Sequence, residues 1–146
     1  MGARHAARRM GLIHLDAGVV IGLLDSDDVH HQAAVESLVE AQRSGDRFGM
    51  AASAFAECLV GPQRRGARAL AVVQDLFDRV PIDVADLDAD TARLAAGLRA
   101  RHRSLRLPDA LVLATAQQRS AGRLLTTDRR WPTARKLGLD LSVIHL

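Results

Sequence analysis

The sequence predicts an α/β domain with a mostly parallel sheet. Short apolar runs that suit buried strands alternate with amphipathic stretches that suit helices along the whole chain, which is the pattern of βα units. The chain has 146 residues, of which 48% are hydrophobic, so it can bury one continuous core but is too short for two. We see no internal repeat, linker or low-complexity segment and therefore expect one domain.

The first strand and the two helices after it are predicted from an apolar run and from capping residues. Leu12–Leu15 is a short apolar run that suits a buried strand, and the apolar segment Val19–Leu24 suits a short helix. The residues Ser26-Asp27-Asp28 supply capping oxygens for a second helix of about four turns, which ends at Ser44-Gly45.

The next strand and two helices are bounded by turn-forming residues. Phe48–Ala51 suits the second strand, and Ser53 is a predicted N-cap for the helix that follows. The pair Gly61-Pro62 is expected to break this helix, because proline removes a backbone donor. Residues 64–77 then have the pattern of another helix.

The second half of the chain repeats the alternation. Residues 80–84 could form a short strand, which Pro81 would confine to an edge or a strand end. Two further helices are expected, one over residues 88–102 and one that opens at Leu107-Pro108-Asp109 and ends at Gly122. The predicted last strands are residues 124–127 and 141–144.

Composition excludes several classes of protein. The longest apolar run, residues 17–24, has eight residues, whereas a membrane-spanning helix needs about 20. The single cysteine, Cys58, cannot form an intramolecular disulfide, which fits a reducing cytoplasm. We therefore expect a cytoplasmic protein without a membrane span.

The first nine residues are set apart from the predicted domain. They include four basic side chains counting His5, and they precede the segment that leads into the first strand. We interpret residues 1–9 as a basic N-terminal extension that is disordered or, if Met10 is the natural start, not native. The domain is then expected to cover residues 10–146.

Four acidic residues stand apart from the helix caps and turns that account for most of the others. Asp16 follows the first strand, Glu57 lies in a mostly apolar helix, Asp109 opens an apolar helix and Asp128 follows a strand. In an open parallel sheet, ligands bind beyond the carboxyl ends of the strands, so the two strand-terminal acids could face one pocket. The other two acids, near helix starts, could join them there.

Such a cluster would need cations. Neighbouring carboxylates repel one another, and ligation by oxygen alone suits Mg²⁺ or Mn²⁺. A metal held this way can activate a water and stabilise the leaving oxygen of a phosphodiester, which is nuclease chemistry. Taken singly, however, Asp16, Asp109 and Asp128 could equally be helix-capping acids, and Glu57 could lie at a solvated edge. The spacing alone leaves both interpretations open.

The four acids lie in four blocks of sequence that carry a resemblance. The blocks are LDAGVVIGLLD at residues 15–25 followed by His30-His31, SAFAE at 53–57, DALVLATA at 109–116 and LLTTDRRW at 124–131. Together they resemble the PIN-domain family, and most closely its VapC-type bacterial toxins. The resemblance runs from about Leu12 to the C-terminus, with all four blocks in the family's order and spacing.

The resemblance implies a fold and an active site. The fold would be a three-layer α/β/α sandwich around the parallel sheet, and the activity that of a Mg²⁺- or Mn²⁺-dependent endoribonuclease. Asp16, Glu57 and Asp109 would bind the metal, and Asp128 would contribute to a second metal or position a water. These four would be the catalytic and metal-binding residues, and Thr126 matches a polar position two residues before the last acid.

The resemblance also implies partners. The chain would be the toxin of a type II toxin–antitoxin pair, with RNA as its substrate, and a cognate antitoxin would hold it inactive. It would form a homodimer and reach operator DNA only through the antitoxin. A second hypothesis is a non-catalytic role as corepressor in the DNA-bound complex. The presence of all four acids favours catalysis, because a binding module alone would not need them.

The cationic residues suit a nucleic-acid substrate without proving one. All 20 except Lys136 are Arg, whose planar fork pairs with phosphate oxygens, although a GC-rich genome would also favour Arg codons. The chain has no Tyr, three Phe and one Trp, so few rings are present to stack on bases. Recognition of RNA would therefore rest on shape and phosphates.

Overall fold

Helices cover both faces of a five-stranded sheet in the computed structural model, which describes residues 11–146. The strands are β1 (Leu12–Leu15), β2 (Arg47–Ala51), β3 (Ile82–Ala85), β4 (Arg123–Thr126) and β5 (Ser142–His145). The helices are α1 (Ala17–Leu24), α2 (His31–Arg43), α3 (Ala52–Arg65), α4 (Ala67–Arg79), α5 (Ala89–Arg101), α6 (Leu107–Gln118) and α7 (Ala134–Leu137). The predicted three-layer α/β/α architecture is confirmed.

Two further sequence predictions concern the N-terminal extension and membrane spans. The predicted extension at residues 1–9 lies outside them, so the domain boundary at Met10 stays a prediction. Within residues 11–146, no helix has the length and apolar character that crossing a bilayer requires.

The strand order places a crevice at the centre of the sheet. All neighbouring strands are parallel, and the order across the sheet is β3-β2-β1-β4-β5. The chain therefore builds outward from β1 on one side and then crosses to the other side with β4. Ligands of open parallel sheets bind beyond the carboxyl ends of the strands at such a reversal, which here lies between β1 and β4.

Buried residues of β1 and α6 make up much of the hydrophobic core. Ile13 and Leu15 of β1 are 1% and 0% exposed, and the buried residues of α6 include Ala110, Leu113 and Ala114. Small alanine side chains let this helix lie close to its neighbours. The strand expected to be confined to an edge by Pro81 is β3, which does lie at the edge of the sheet.

Two predictions about α3 are wrong. α3 does not end at Gly61-Pro62 but continues to Arg65, with Pro62 buried inside it, and the helix ends where Gly66 adopts a φ of 106°. Pro62 cannot donate a backbone hydrogen bond, yet the helix continues through it with the proline ring buried. Ser53 lies within the first turn of α3 and makes no cap, because the helix already begins at Ala52.

The predicted caps of α2 also act elsewhere. Asp28 Oδ1 accepts a hydrogen bond from the backbone N of His30 at 2.8 Å, in the turn before the helix, and α2 begins at His31 without a side-chain cap. The short helix α7 was not predicted, since four residues carry too little periodicity to detect.

Candidate active site

Asp16 lies at the reversal of the strand order. It follows β1 directly, its backbone N donates to Leu125 O of β4 at 2.9 Å, and its Oδ1 caps α1 by accepting from Ala17 N at 2.8 Å. The side chain is thus fixed by a strand, a neighbouring strand and a helix at once. Asp16 is therefore a helix cap, as one interpretation predicts, and it also lies at the carboxyl end of β1, so the two interpretations do not exclude each other.

Thr126 links two of the candidate acids. Leu15 pairs with Leu125 in the parallel register, so the residues that follow them lie side by side. The Thr126 hydroxyl donates to Asp16 Oδ2 at 2.9 Å and accepts from the backbone N of Asp128 at 3.1 Å. The side chain is completely buried, so this hydroxyl orients the carboxylate of one acid and the backbone of the other.

Burial makes Asp16 electrostatically unusual. The residue is 9% exposed, and desolvation of its carboxylate raises the pKa from 3.8 to about 6. The hydrogen bonds from Thr126 and Ala17 oppose this rise, whereas the negative charges of Asp109 and Glu57 add to it. The free-energy cost of the buried charge is therefore relieved only in part by its own hydrogen bonds.

Glu57 and Asp109 approach Asp16 from two helices. Glu57 lies on α3 and is exposed, so it occupies the solvated edge that an acid among apolar residues requires. Desolvation raises its pKa, and the charge of Asp109 raises it further. Asp109, in the first turn of α6, is half-buried; its pKa is raised by desolvation and then by Asp128. Each candidate acid thus feels at least one of the others.

Asp128 is held differently from the other three. Both oxygens of its carboxylate accept hydrogen bonds from the Arg130 guanidinium, at 3.1 and 3.0 Å, and these bonds lower its pKa. The structure therefore brings all four sequence-predicted acids to one end of the sheet. Three of them have raised pKa values, while the fourth is already paired with a cation.

Three side chains at this site are not among the residues that the sequence predicted for it. Arg106, the residue before α6, lowers the pKa values of Glu57, Asp109 and Asp128, so its positive charge reaches all three acids. Arg130 pairs with the last acid. Trp131 is 7% exposed, and its indole N–H lowers the pKa of Asp109, yet Nε1 makes no hydrogen bond of normal geometry within the described residues.

Only position relative to the acids could have identified these residues. Arg106 precedes Asp109 by three positions and Arg130 follows Asp128 by two, but an Arg near an acid in sequence is most often on a solvated face. The distinction depends on where the helix and the loop carry each side chain.

Gly18 leaves space that the site needs. A Cβ placed on this residue would collide with the hydroxyl of Thr127, which lies between Thr126 and Asp128. The first turn of α1 can therefore pack against the loop after β4 only if this position has no side chain. Cys58, nearby on α3, is buried with its thiol pKa raised to about 12, chiefly by desolvation, so it acts as a small apolar residue as predicted.

The carboxylates do not form a closed metal cage. Within the described chain, no three His, Cys, Asp or Glu side chains lie close enough to hold a metal ion by themselves. In this arrangement, the described residues could contribute at most two such side chains to one ion. Mg²⁺ keeps several waters and is usually bound by one or two carboxylates together with substrate phosphates.

Comparison with known proteins points to one family. A model of the PIN domain matches residues 13–137. No curated protein sequence matches the chain.

Several solved structures have the same fold. VapBC2 from Rickettsia felis, bound to a DNA fragment from its promoter, superposes with a TM-score of 0.68 at 13% identity, covering 92% of this chain and 98% of that one. FitAcB from Neisseria gonorrhoeae gives 0.67 at 19% identity, covering 91% and 96%. VapC20 from Mycobacterium tuberculosis, a toxin that cleaves the sarcin-ricin loop, gives 0.61 at 19% identity, covering 77% and 86%.

Proposed function

Because the chain belongs to the PIN-domain family, we propose that it is a divalent-metal-dependent endoribonuclease and the toxin of a type II toxin–antitoxin pair. One observation supports this proposal above the others. Four acids from distant parts of the sequence meet where the strand order reverses, and three of them have pKa values raised by burial and mutual repulsion. Such a cluster is costly unless it serves a site.

The donor set fits a hard divalent cation. The candidate ligands are all carboxylate oxygens, which Mg²⁺ and Mn²⁺ prefer, and a cation would relieve the repulsion that raises the pKa values of Asp16, Glu57 and Asp109. Of these three residues, one or two would bind the metal directly and the rest would reach it through its bound waters, because no three of the described side chains are close enough to hold it by themselves. Asp128 would contribute to a second metal or position a water. When bound, the cation supplies an activated water and stabilises the leaving oxygen.

The protein's own residues prepare the site for this chemistry. Thr126 and Ala17 N hold the two oxygens of Asp16, so the carboxylate is oriented before any ligand arrives. The Thr126 hydroxyl also fixes the backbone at Asp128. Arg106 supplies a positive charge near three acids, and its exposed guanidinium is suitably placed to bind a phosphate of RNA.

We infer the partners from the family. VapBC2 was solved bound to promoter DNA, and the same type of assembly would give this chain a cognate antitoxin and contact with operator DNA through it. The chain would act as a homodimer on RNA in the cytoplasm. A non-catalytic role as corepressor is the second candidate, and it differs because it requires none of the four acids.

A cleavage assay separates the two functions. The purified chain, free of antitoxin, is incubated with total bacterial RNA in Mg²⁺, Mn²⁺ or EDTA, and new 5′ ends are mapped by sequencing. Asp16→Asn and Asp109→Asn test the site, while Asp75→Asn is the matched control, since Asp75 forms an ion pair with Arg79 on the exposed face of α4.

Cuts that require metal and both site acids, but not Asp75, are the expected result. Equal cutting by the wild type and either site variant would show that the assigned acid has no role in cleavage. If no condition produced cuts, the corepressor hypothesis would be favoured instead.

A further inference from the structure

Arg130 donates hydrogen bonds to both carboxylate oxygens of Asp128. Its Nε donates to Oδ1 at 3.1 Å, its Nη2 donates to Oδ2 at 3.0 Å, and its backbone N donates to Oδ1 at 2.9 Å. Both carboxylate oxygens are therefore engaged by one residue. A two-point fork of this kind is the strong form of an arginine–carboxylate pair.

The position of this pair is unlike that of an ordinary surface ion pair. The Arg130 side chain is 77% exposed, but that of Asp128 is only 21% exposed. The guanidinium charge also lowers the pKa of Asp109, so it acts on two of the four acids. Arg130 thus sits at the mouth of the site, where it neutralises the charge that a cation would otherwise neutralise.

The guanidinium and a metal ion would require the same atoms. Both oxygens of the Asp128 carboxylate accept hydrogen bonds from the Arg130 guanidinium, so a metal ion would compete with Arg130 at either oxygen. Since the Arg130 side chain is largely in water, a cation can displace it despite the two-point geometry. Exposed pairs typically shift an equilibrium constant only by about two- to fivefold.

Building on the proposed function, we propose that Arg130 is a positioning residue that stands in for a divalent cation at Asp128. Its guanidinium holds the carboxylate in place while the site is free of metal, and a cation binds there by displacing it. The consequence is that Arg130 lowers the affinity of the site for metal while keeping Asp128 ordered.

The adjacent residue provides a matched control. Arg129 carries the same charge one position away, but its Nη2 contacts the carbonyl oxygen of Leu146 at 3.4 Å rather than an acid of the site. Removing either charge changes the net charge equally. Only the removal of Arg130 takes a competitor away from Asp128.

The first measurement is Mn²⁺ binding by isothermal titration calorimetry. The full chain is compared with Arg130→Gln, Arg130→Lys and Arg129→Gln in the absence of RNA. We expect Arg130→Gln to bind Mn²⁺ about threefold more tightly than the Arg129→Gln control, in line with the strength of an exposed ion pair. Arg130→Lys should fall between them, because lysine keeps the charge and loses the fork.

The second measurement follows the guanidinium itself. In an NMR titration with Mg²⁺, the Nε–Hε signal of Arg130 should move toward the position of a free arginine as the metal saturates. Arg79 is the internal reference, because its Nε donates to Asp75 at 3.0 Å on α4 and should not respond.

The outcomes separate this inference from the proposed function. Equal Mn²⁺ affinity of Arg130→Gln and Arg129→Gln, or an Arg130 signal that does not move with Mg²⁺, would overturn the inference and leave the nuclease proposal standing. Metal binding by none of the four chains would overturn both. Tighter binding by Arg130→Gln together with a moving Arg130 signal would establish the displacement.

Discussion

The buried charge of Asp16 should make the wild-type protein less stable than a variant that lacks it. Asp16→Asn keeps the shape of the side chain and an acceptor for Ala17 N, but it removes the charge that burial penalises. We therefore expect Asp16→Asn to raise the free energy of unfolding at pH 7.5 while abolishing cleavage. Proteins are often stabilised when a residue that serves their chemistry is replaced.

The size of the effect follows from the pKa of Asp16. In the folded protein the pKa of Asp16 is about 6, whereas the ordinary pKa of an Asp side chain is 3.8. Because each pKa unit is worth about 1.4 kcal/mol, ionisation of Asp16 costs the folded state about 3 kcal/mol. The amide cannot reproduce every hydrogen bond of the carboxylate, which removes about 1 kcal/mol of the gain. We expect a net stabilisation of about 2 kcal/mol.

The sign of the pH dependence is equally specific. Well below pH 3.8, Asp16 is protonated in both the folded and the unfolded states, so its charge has no effect on stability. Between pH 4 and 6 the unfolded state loses its proton first, so the wild type loses stability as the pH rises. Above pH 6 both states are ionised and the cost is constant. The advantage of the variant should therefore appear between pH 4 and 6.

Urea unfolding measures this difference directly. The single Trp131 is buried and reports unfolding by fluorescence, and EDTA keeps the carboxylates free of metal. Asp88→Asn is the matched control, because Asp88 caps α5 as Asp16 caps α1 but its pKa is lowered rather than raised. The quantity compared is the difference in free energy of unfolding between Asp16→Asn and the wild type. If this difference were no larger at pH 7.5 than at pH 4, the reasoning would be refuted.

Three further predictions follow. Two concern contacts at the site, and the third concerns the ion pair between Asp46 and Arg123, where the strands begin. Thr126→Val should raise the pKa of Asp16 above about 6 and slow cleavage, whereas Thr126→Ser should restore both; carboxylate NMR titration checks this, and an unchanged pKa in the valine variant would contradict it. Gly18→Ala should reduce cleavage by displacing Thr127, and wild-type activity would show that the loop adapts freely. Asp46→Ala should destabilise the fold by roughly 2 kcal/mol in urea unfolding, since it removes the buried partner of a 2.6 Å ion pair; a loss below about 0.5 kcal/mol would mean that solvent replaces the pair.

Much of the fold could be predicted because its signals are local. β1 has the predicted bounds, Leu12–Leu15, since a short apolar run before an acid and a helix leaves little choice. β3 lies at the predicted edge of the sheet, and Pro81 lies in the turn just before it rather than in the strand. The break predicted at Pro62 is wrong because the helix continues through this residue with the proline ring buried. Burial depends on tertiary packing and not on the local sequence.

The candidate site was predictable in its acids and not in its partners. Asp16 and Asp128 each follow a strand, and the carboxyl ends of parallel strands share one edge, so their proximity follows from chain order. Arg130 could not be assigned to the site in the same way. Whether an arginine next to an acid binds it depends on the path of the loop after β4, which no local pattern specifies.

The sequence by itself determined the fold class, the order of the elements other than α7 and the four candidate acids, because these depend on side-chain type and on spacing along the chain. Only the tertiary structure decided that Thr126 donates to Asp16, that Asp16 is desolvated, and that Arg130 holds Asp128. The hydrogen bond of Thr126 joins residues 110 positions apart. Hydrogen bonds and desolvation act over a few ångströms in space, so they exist only once β4 lies beside β1.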